Sequence, residues 1–353
     1  MAYTTIKKPS DYFNTLTYTG DGNDARGITG VGFQPDFVWS KNRDNGTRYH
    51  ALTNVISGAT KFLSSNATSA EQTDSTTYQS FDSDGFTVGT NANTNENGSG
   101  IVSWNWLANG AGVANTDGSI SSTVSANTTS GFSVVGYTGA GASATIGHGL
   151  GVAPSMYIIK SRTGSAEPWF VYHKSIGNTG GVLLNSTNVQ VTSSTWFNNT
   201  SPTSSVFSIG SNSGVTGSGN TFIAYCFAEK QGFSKFGSYT GNGSTDGTFV
   251  YTGFKPAFVL LKRTDSTGSW YIYDNKRDVS NAMTKVLFPD ITDAEDNNTN
   301  NNADFLSNGF KIRTISGARN ASGGTYIYMA FASEPLVGDN PATARWLCSY
   351  LLT

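Results

Sequence analysis

Three histidines, two cysteines and a thin scatter of carboxylates are the reactive side chains that this sequence offers. His50 follows Tyr49 and His173 follows Tyr172, while Tyr273 in a third similar context is followed by Asp274. A place after an aromatic strand that accepts either His or Asp reads as a strand-end cap or a loop contact. His148 lies in Gly147-His148-Gly149-Leu150-Gly151, and the corresponding stretches Thr29-Gly30-Val31 and Tyr251-Thr252 carry no histidine. Cys226 and Cys348 are too far apart for metal-ligand spacing. Cys226 sits in the apolar run Phe222–Phe227, where it reads as a small buried hydrophobe. No nucleophile elbow, zinc-binding His-Glu-x-x-His or phosphate loop occurs. The glycine-rich stretch Gly317–Gly324 reads as a hairpin loop, because no helix follows that would hold phosphate. The acidic loop 290–296 offers oxygens to a hard cation but lacks EF-hand spacing, so it reads as solvated. Asp82-Ser83-Asp84-Gly85 reads as a turn. The expectation is a chain with no catalytic residue, no cofactor and no metal.

Exposed aromatics are the remaining route to chemistry, since they stack on sugar rings. The tryptophans are Trp39, Trp104, Trp106, Trp169, Trp196, Trp270 and Trp346. Trp104 and Trp106 match Tyr225 and Phe227 in a later segment, so these positions are apolar throughout and read as core. Trp169 and Trp270 stand just before matching strands and are expected at a rim. Trp196, in Thr195-Trp196-Phe197-Asn198-Asn199, reads as exposed. Trp169, Trp196 and Trp270 are therefore the expected glycan or receptor contacts.

The elements that must position these residues are announced by composition. Only 13% of the 353 residues are charged and the net charge is −2, about half the usual share of charge. A chain this neutral lacks the cationic face that dominates nucleic-acid affinity. Its surface must be built from Ser, Thr, Asn and Gly, a mixture that favours strands and turns over long helices. Disorder is excluded by 21 Phe, 16 Tyr and 7 Trp, too many aromatics for a chain without a core. Nowhere do eighteen consecutive apolar residues occur, so no membrane insertion is expected. The polar start and the isolated cysteines imply synthesis and folding in a reducing cytoplasm.

Internal repetition sets the architecture. Tyr18-Thr19-Gly20 recurs as Tyr137-Thr138-Gly139 and Tyr239-Thr240-Gly241. Seventeen residues after each tyrosine come Pro35, Pro154 and Pro256, each followed by an apolar run and then by Lys41, Lys160 or Lys262. Each segment closes on a dense aromatic strand, at Ile101–Leu107, Phe222–Phe227 and Ile327–Phe331. The expected fold is all-β: three tandem copies of an antiparallel β-sandwich-like domain. The expected boundaries are 1–110, 130–229 and 230–336, with a Gly/Ser/Thr-rich linker at 111–129, a flexible segment at 109–118 and a tail at 337–353. The Ser/Thr stretch inside that linker could add an edge strand to the second copy. The short junction near Glu229-Lys230-Gln231-Gly232 should dock the second and third copies rigidly, leaving the first free to anchor elsewhere.

Several longer phrases resemble a known family. Met1-Ala2-Tyr3-Thr4-Thr5-Ile6, Gly131–Gly139, His148–Pro154, Gly232–Gly241, Thr252–Leu260 and Asp274–Asp278 are similar to tandem-repeat virion structural, tail-fibre-like proteins of marine bacteriophages. The similarity runs along nearly the whole chain, to about Ala344. It implies a non-enzymatic virion surface component made in the host cytoplasm, first a tail-fibre or host-recognition part. A capsid decoration or head-fibre protein is the alternative, and a non-viral glycan-binding lectin is the alternative of another class. The implied partners are other virion proteins, further copies of itself with a trimer favoured, and a host cell-surface glycan. The resemblance brings no catalytic residues, and the sequence shows none of the collagen-like, coiled-coil or β-helical shafts expected of a long fibre.

Overall fold

The structure, a computed structural model, describes residues 4–335. The opening Met1-Ala2-Tyr3, the tail at 337–353 with Trp346 and Cys348, and the end of the resembling region therefore lie outside the described residues. The fold is all-β with antiparallel sheets, and the four α-helices among the described residues have four residues each.

One strand order occurs three times. An opening strand pairs with the closing aromatic strand, which pairs with the strand carrying the repeated lysine, which pairs with a shorter partner strand. In the first sandwich these are Phe13–Thr19, Gly100–Trp106, Phe37–Asn42 and Ala51–Asn54. In the second they are Phe132–Thr138, Thr221–Phe227, Met156–Ser161 and Phe170–His173. In the third they are Ser234–Thr240, Thr325–Pro335, Phe254–Arg263 and Trp270–Asp274. The repeated signatures have a common physical cause. Tyr18, Tyr137 and Tyr239 each donate their hydroxyl to a carbonyl of a short helix, at Thr94 (2.7 Å), Val215 (2.8 Å) and Arg319 (2.7 Å). The glycine two residues on lies against the same helix, where a Cβ would stand 2.1 Å from Glu96 O at Gly20 and 2.3 Å from Ala321 O at Gly241. No larger residue fits there. Pro35 and Pro154 stand two residues ahead of their strands, where no ladder N–H is required. Pro256 is inside its strand, at a register shift that serves the same need.

Side-chain alternation on the lysine strands divides the interior into two kinds of core. Val38, Val259 and Leu261 face outward, each toward a small covering sheet within its own sandwich. Phe37, Trp39, Met156, Ile158, Phe258 and Leu260 face the other way, into one cluster shared by all three sandwiches. At its centre Trp106, Phe227 and Phe331, the register equivalents on the closing strands, form a triangle. Their ring centroids are 6.3, 5.9 and 6.1 Å apart.

This closed arrangement corrects two expectations. The first sandwich is docked against both others, so it is not a separate anchor. The expected linker is also structured: Ser122–Asn127 pairs along the second sandwich's opening strand, and Val113–Asn115 pairs on it in turn. The Asp36 carboxylate fixes the entry to this hairpin by accepting from Ala108 N (2.6 Å) and Gly110 N (3.1 Å). Glycine and asparagine content suggested flexibility, but the backbone groups found strand partners.

Candidate functional site

Sheet register assigns the reactive residues differently from their dipeptide context. Lys262 pairs with Trp270, and the same register sets Lys41 opposite His50 and Lys160 opposite Trp169. His50, Trp169 and Trp270 are thus equivalent, while His173 and Asp274 correspond to Asn54. The expected equivalence of His50 with His173 is corrected.

All of these positions build the seams of the ring. His50 Nε2 donates to Phe288 O (2.9 Å), Trp169 Nε1 to Ser64 O (3.0 Å) and Trp270 Nε1 to Leu183 O (2.9 Å). Each bond reaches from one sandwich to the same place on its neighbour, and the series closes on itself. Asn54 reaches Tyr225 Oη (3.1 Å), His173 reaches Tyr328 O (3.1 Å), and Asp274 accepts from Trp104 Nε1 (3.0 Å). A backbone bond completes each seam: Glu71 N to Arg162 O, Gln190 N to Thr264 O and Glu295 N to Arg43 O. Two seams add a bidentate ion pair, Arg162 with Glu71 and Arg43 with Glu295. The third has Thr264 and Gln190 instead.

Trp169 and Trp270 are 0% and 1% exposed, and Trp196, at 8%, packs edge-on against Phe170. The expected sugar-stacking tryptophans are therefore structural: the rim expected for Trp169 and Trp270 is a seam, and Trp196 packs inside the second sandwich. Burial lowers the pKa of Lys41, Lys160 and Lys262 to about 8, each ammonium capped by the carbonyl of the next residue. The histidines have both ring nitrogens engaged. Trp39 Nε1, Leu150 N and Ser175 N donate to the Nδ1 atoms of His50, His148 and His173. Each Nε2 therefore carries the proton that it donates to a carbonyl, including Thr203 O for His148. Burial pushes all three pKa values down, that of His173 to about 4. In the acidic loop, Glu295 is held by Arg43 and Arg277, and Asp290 accepts from Trp270 N (3.0 Å). Cys226 is fully buried and free.

An open cleft of about 730 Å³ lies beside the seam of the first and second sandwiches. It is lined by Tyr49, Asn66, Ser69, Gln72, Asn93 and Asn185 among others, and by no Lys, Arg, Asp or Glu. Asn66 Oδ1 accepts from His50 N (3.0 Å), Asn93 Oδ1 from Tyr49 N (2.9 Å) and Asn185 Oδ1 from Trp169 N (2.9 Å). With each amide oxygen fixed by the backbone, each NH₂ is turned the other way and has no partner among the described residues. Tyr49 is 47% exposed and lines the same cleft. Tyr49 carries no tryptophan-like signal of a sugar platform, and nothing local in the sequence shows that Asn185 lines the same cleft as Asn66.

The fold and its sites define a β-sandwich assembly whose described surface offers a neutral cleft. The chain belongs to the family described as a domain of unknown function, DUF7483, which matches residues 8–335 and so spans all three sandwiches. No curated protein matches the chain. Among the described residues no helix is long and apolar enough to cross a membrane.

Proposed function

We propose that this protein is a non-enzymatic structural component on the surface of a bacteriophage particle, a tail-fibre or host-recognition part. The observation that carries this reading is the closed ring of three sandwiches, joined at every seam through register-equivalent positions. His50, His173, Lys160 and Lys262 each bond across a seam to a neighbouring sandwich, and the cleft beside the seam of the first and second sandwiches is uncharged. Rigid, neutral sandwiches suit a part that must survive outside the cell and touch a surface without general electrostatic adhesion. The reading takes the chain as three tandem copies, and it includes further copies of the protein in the particle, a trimer before other numbers. Multiple copies would turn weak single contacts into useful avidity. The ring is closed and not rod-like, and that favours capsid decoration as the second reading. Gold-labelled antibody on intact particles tests both: label at the tail supports the first, label on the capsid the second. Particles that carry no label would reject both and leave the reading of a non-viral lectin.

A further inference from the structure

From the cleft we infer a binding site for a neutral hexose glycan, with Tyr49 as the stacking platform and Asn66, Asn93 and Asn185 as hydrogen-bond donors. The inference deepens the host-recognition reading and rests on it for its biological sense. A pyranose ring presents an apolar C–H face and an edge of hydroxyl oxygens. A half-exposed aromatic beside several oriented amides is complementary to both. The amides are held before any ligand arrives, so little ordering is needed on binding. The lining bears no formal charge. A phosphate, sialic acid or uronic acid would find no cation there, and an ammonium ligand would find no carboxylate. Asp74, the carboxylate behind the lining Asn91, is occupied by Asn91 Nδ2 (3.0 Å) and by the hydroxyls of Thr76 and Thr77. Asn185 comes from the second sandwich, so the site is complete only when the ring is closed.

The test applies the full-length protein to an immobilised panel of neutral hexose and N-acetylhexosamine oligosaccharides beside sialylated and uronic ones, followed by calorimetric titration of the best neutral binder. The expected result is binding confined to the neutral set, weakened at least about tenfold by Tyr49→Ala. Asn185→Asp is the second variant. It keeps an oxygen for Trp169 N, as Asp290 does for Trp270 N (3.0 Å), but removes the NH₂ donor, and it should weaken binding while leaving the melting temperature unchanged. Absence of binding to any neutral glycan, preference for the charged ones, or binding that neither variant alters would overturn the site. Particle labelling separates this from the broader reading. Label on particles with no glycan binding rejects the cleft alone; glycan binding without label supports the cleft and rejects the virion.

Discussion

The cleft beside the first sandwich has no counterpart at the same place on the second. Where the first carries Tyr49, the second carries Pro168. Where the first carries Asn93, the second carries Gly214, whose missing Cβ would stand 2.4 Å from the Phe170 ring and 2.8 Å from Glu167 Oε2. Ser213 Oγ donates to Glu167 Oε1 (2.9 Å) and holds that glutamate across the opening. The third sandwich has Ser269 and Ala318 at these two places. Meanwhile Asn66, Asn185 and Asp290 do the same work in all three, each capping the backbone N–H of a seam residue. The contrast separates two kinds of position. Those that hold the ring recur under the sheet register, whereas those that could meet a ligand vary on loops and short helices of a fixed scaffold.

The largest test of this separation lies in the shared core. Phe331 lies 4.8 Å from Phe13, 5.9 Å from Trp106 and 6.1 Å from Phe227, so it touches all three sandwiches. Phe331→Ala should cost about 3–5 kcal/mol through the cavity it leaves. Calorimetry should show one transition, shifted down as a whole; three independently melting sandwiches would break the description of the ring as a unit.

The seams give the next effect. Arg162→Ala leaves Glu71, which is 9% exposed, with Ser57 Oγ (2.6 Å) but without its cation, and should cost about 2 kcal/mol, below the range for a fully buried pair because Arg162 is 15% exposed. The seam of Thr264 and Gln190 shows that the geometry survives without charge. Arg162→Thr combined with Glu71→Gln should therefore cost less than Arg162→Ala alone, a non-additivity that denaturant titration measures directly. Additive losses would mean that the two seams are not interchangeable.

Protonation probes the same contacts. A histidine with a folded pKa depressed below the unfolded value near 6.5 contributes stability above that value, and loses it as pH falls through the folded pKa. For His173 the window runs from about 6.5 down to about 4. The melting temperature should fall across this window, and His173→Asn, the residue that the first sandwich has at position 54, should flatten the fall. Burial raises the pKa of Asp36 and Asp290, which pulls the other way in acid, so the comparison of variant with parent is the measurement. Parallel pH profiles for the two proteins would remove the seam histidine as the cause.

The sequence made the scaffold readable and left the seams hidden. Tyr18-Thr19-Gly20 and its relatives were visible because one helix contact imposes the tyrosine and one close approach imposes the glycine. The strands Phe37–Asn42 and Gly100–Trp106 were visible from apolar runs and alternation. Trp169 and Trp270 looked like rim residues because the surfaces covering them lie more than eighty residues away in the chain, at Ser64 and Leu183. The Tyr-His dipeptides misled because matching residue types fell at different register positions. In the hairpin 113–127, glycine-rich composition concealed strand pairing with the second sandwich.

The smallest expected effect distinguishes the cleft from the scaffold that carries it. Asn93→Gly copies the residue of the second sandwich into the first. It removes the acceptor for Tyr49 N, a bond at the solvent-exposed edge, and so should cost only about 0.5–1 kcal/mol of stability. The reverse change, Gly214→Asn, forces a side chain into Phe170 and should cost more, about 1–3 kcal/mol, through overpacking. Positions that were free to vary in both directions would give equal and small losses. The asymmetry follows because the second sandwich has closed its opening with Phe170 and Glu167, whereas the first has left room for Tyr49 and the amides. Chemical denaturation of the two variants side by side measures the difference, and a Gly214→Asn protein as stable as its parent would mean that the closed opening relaxes freely.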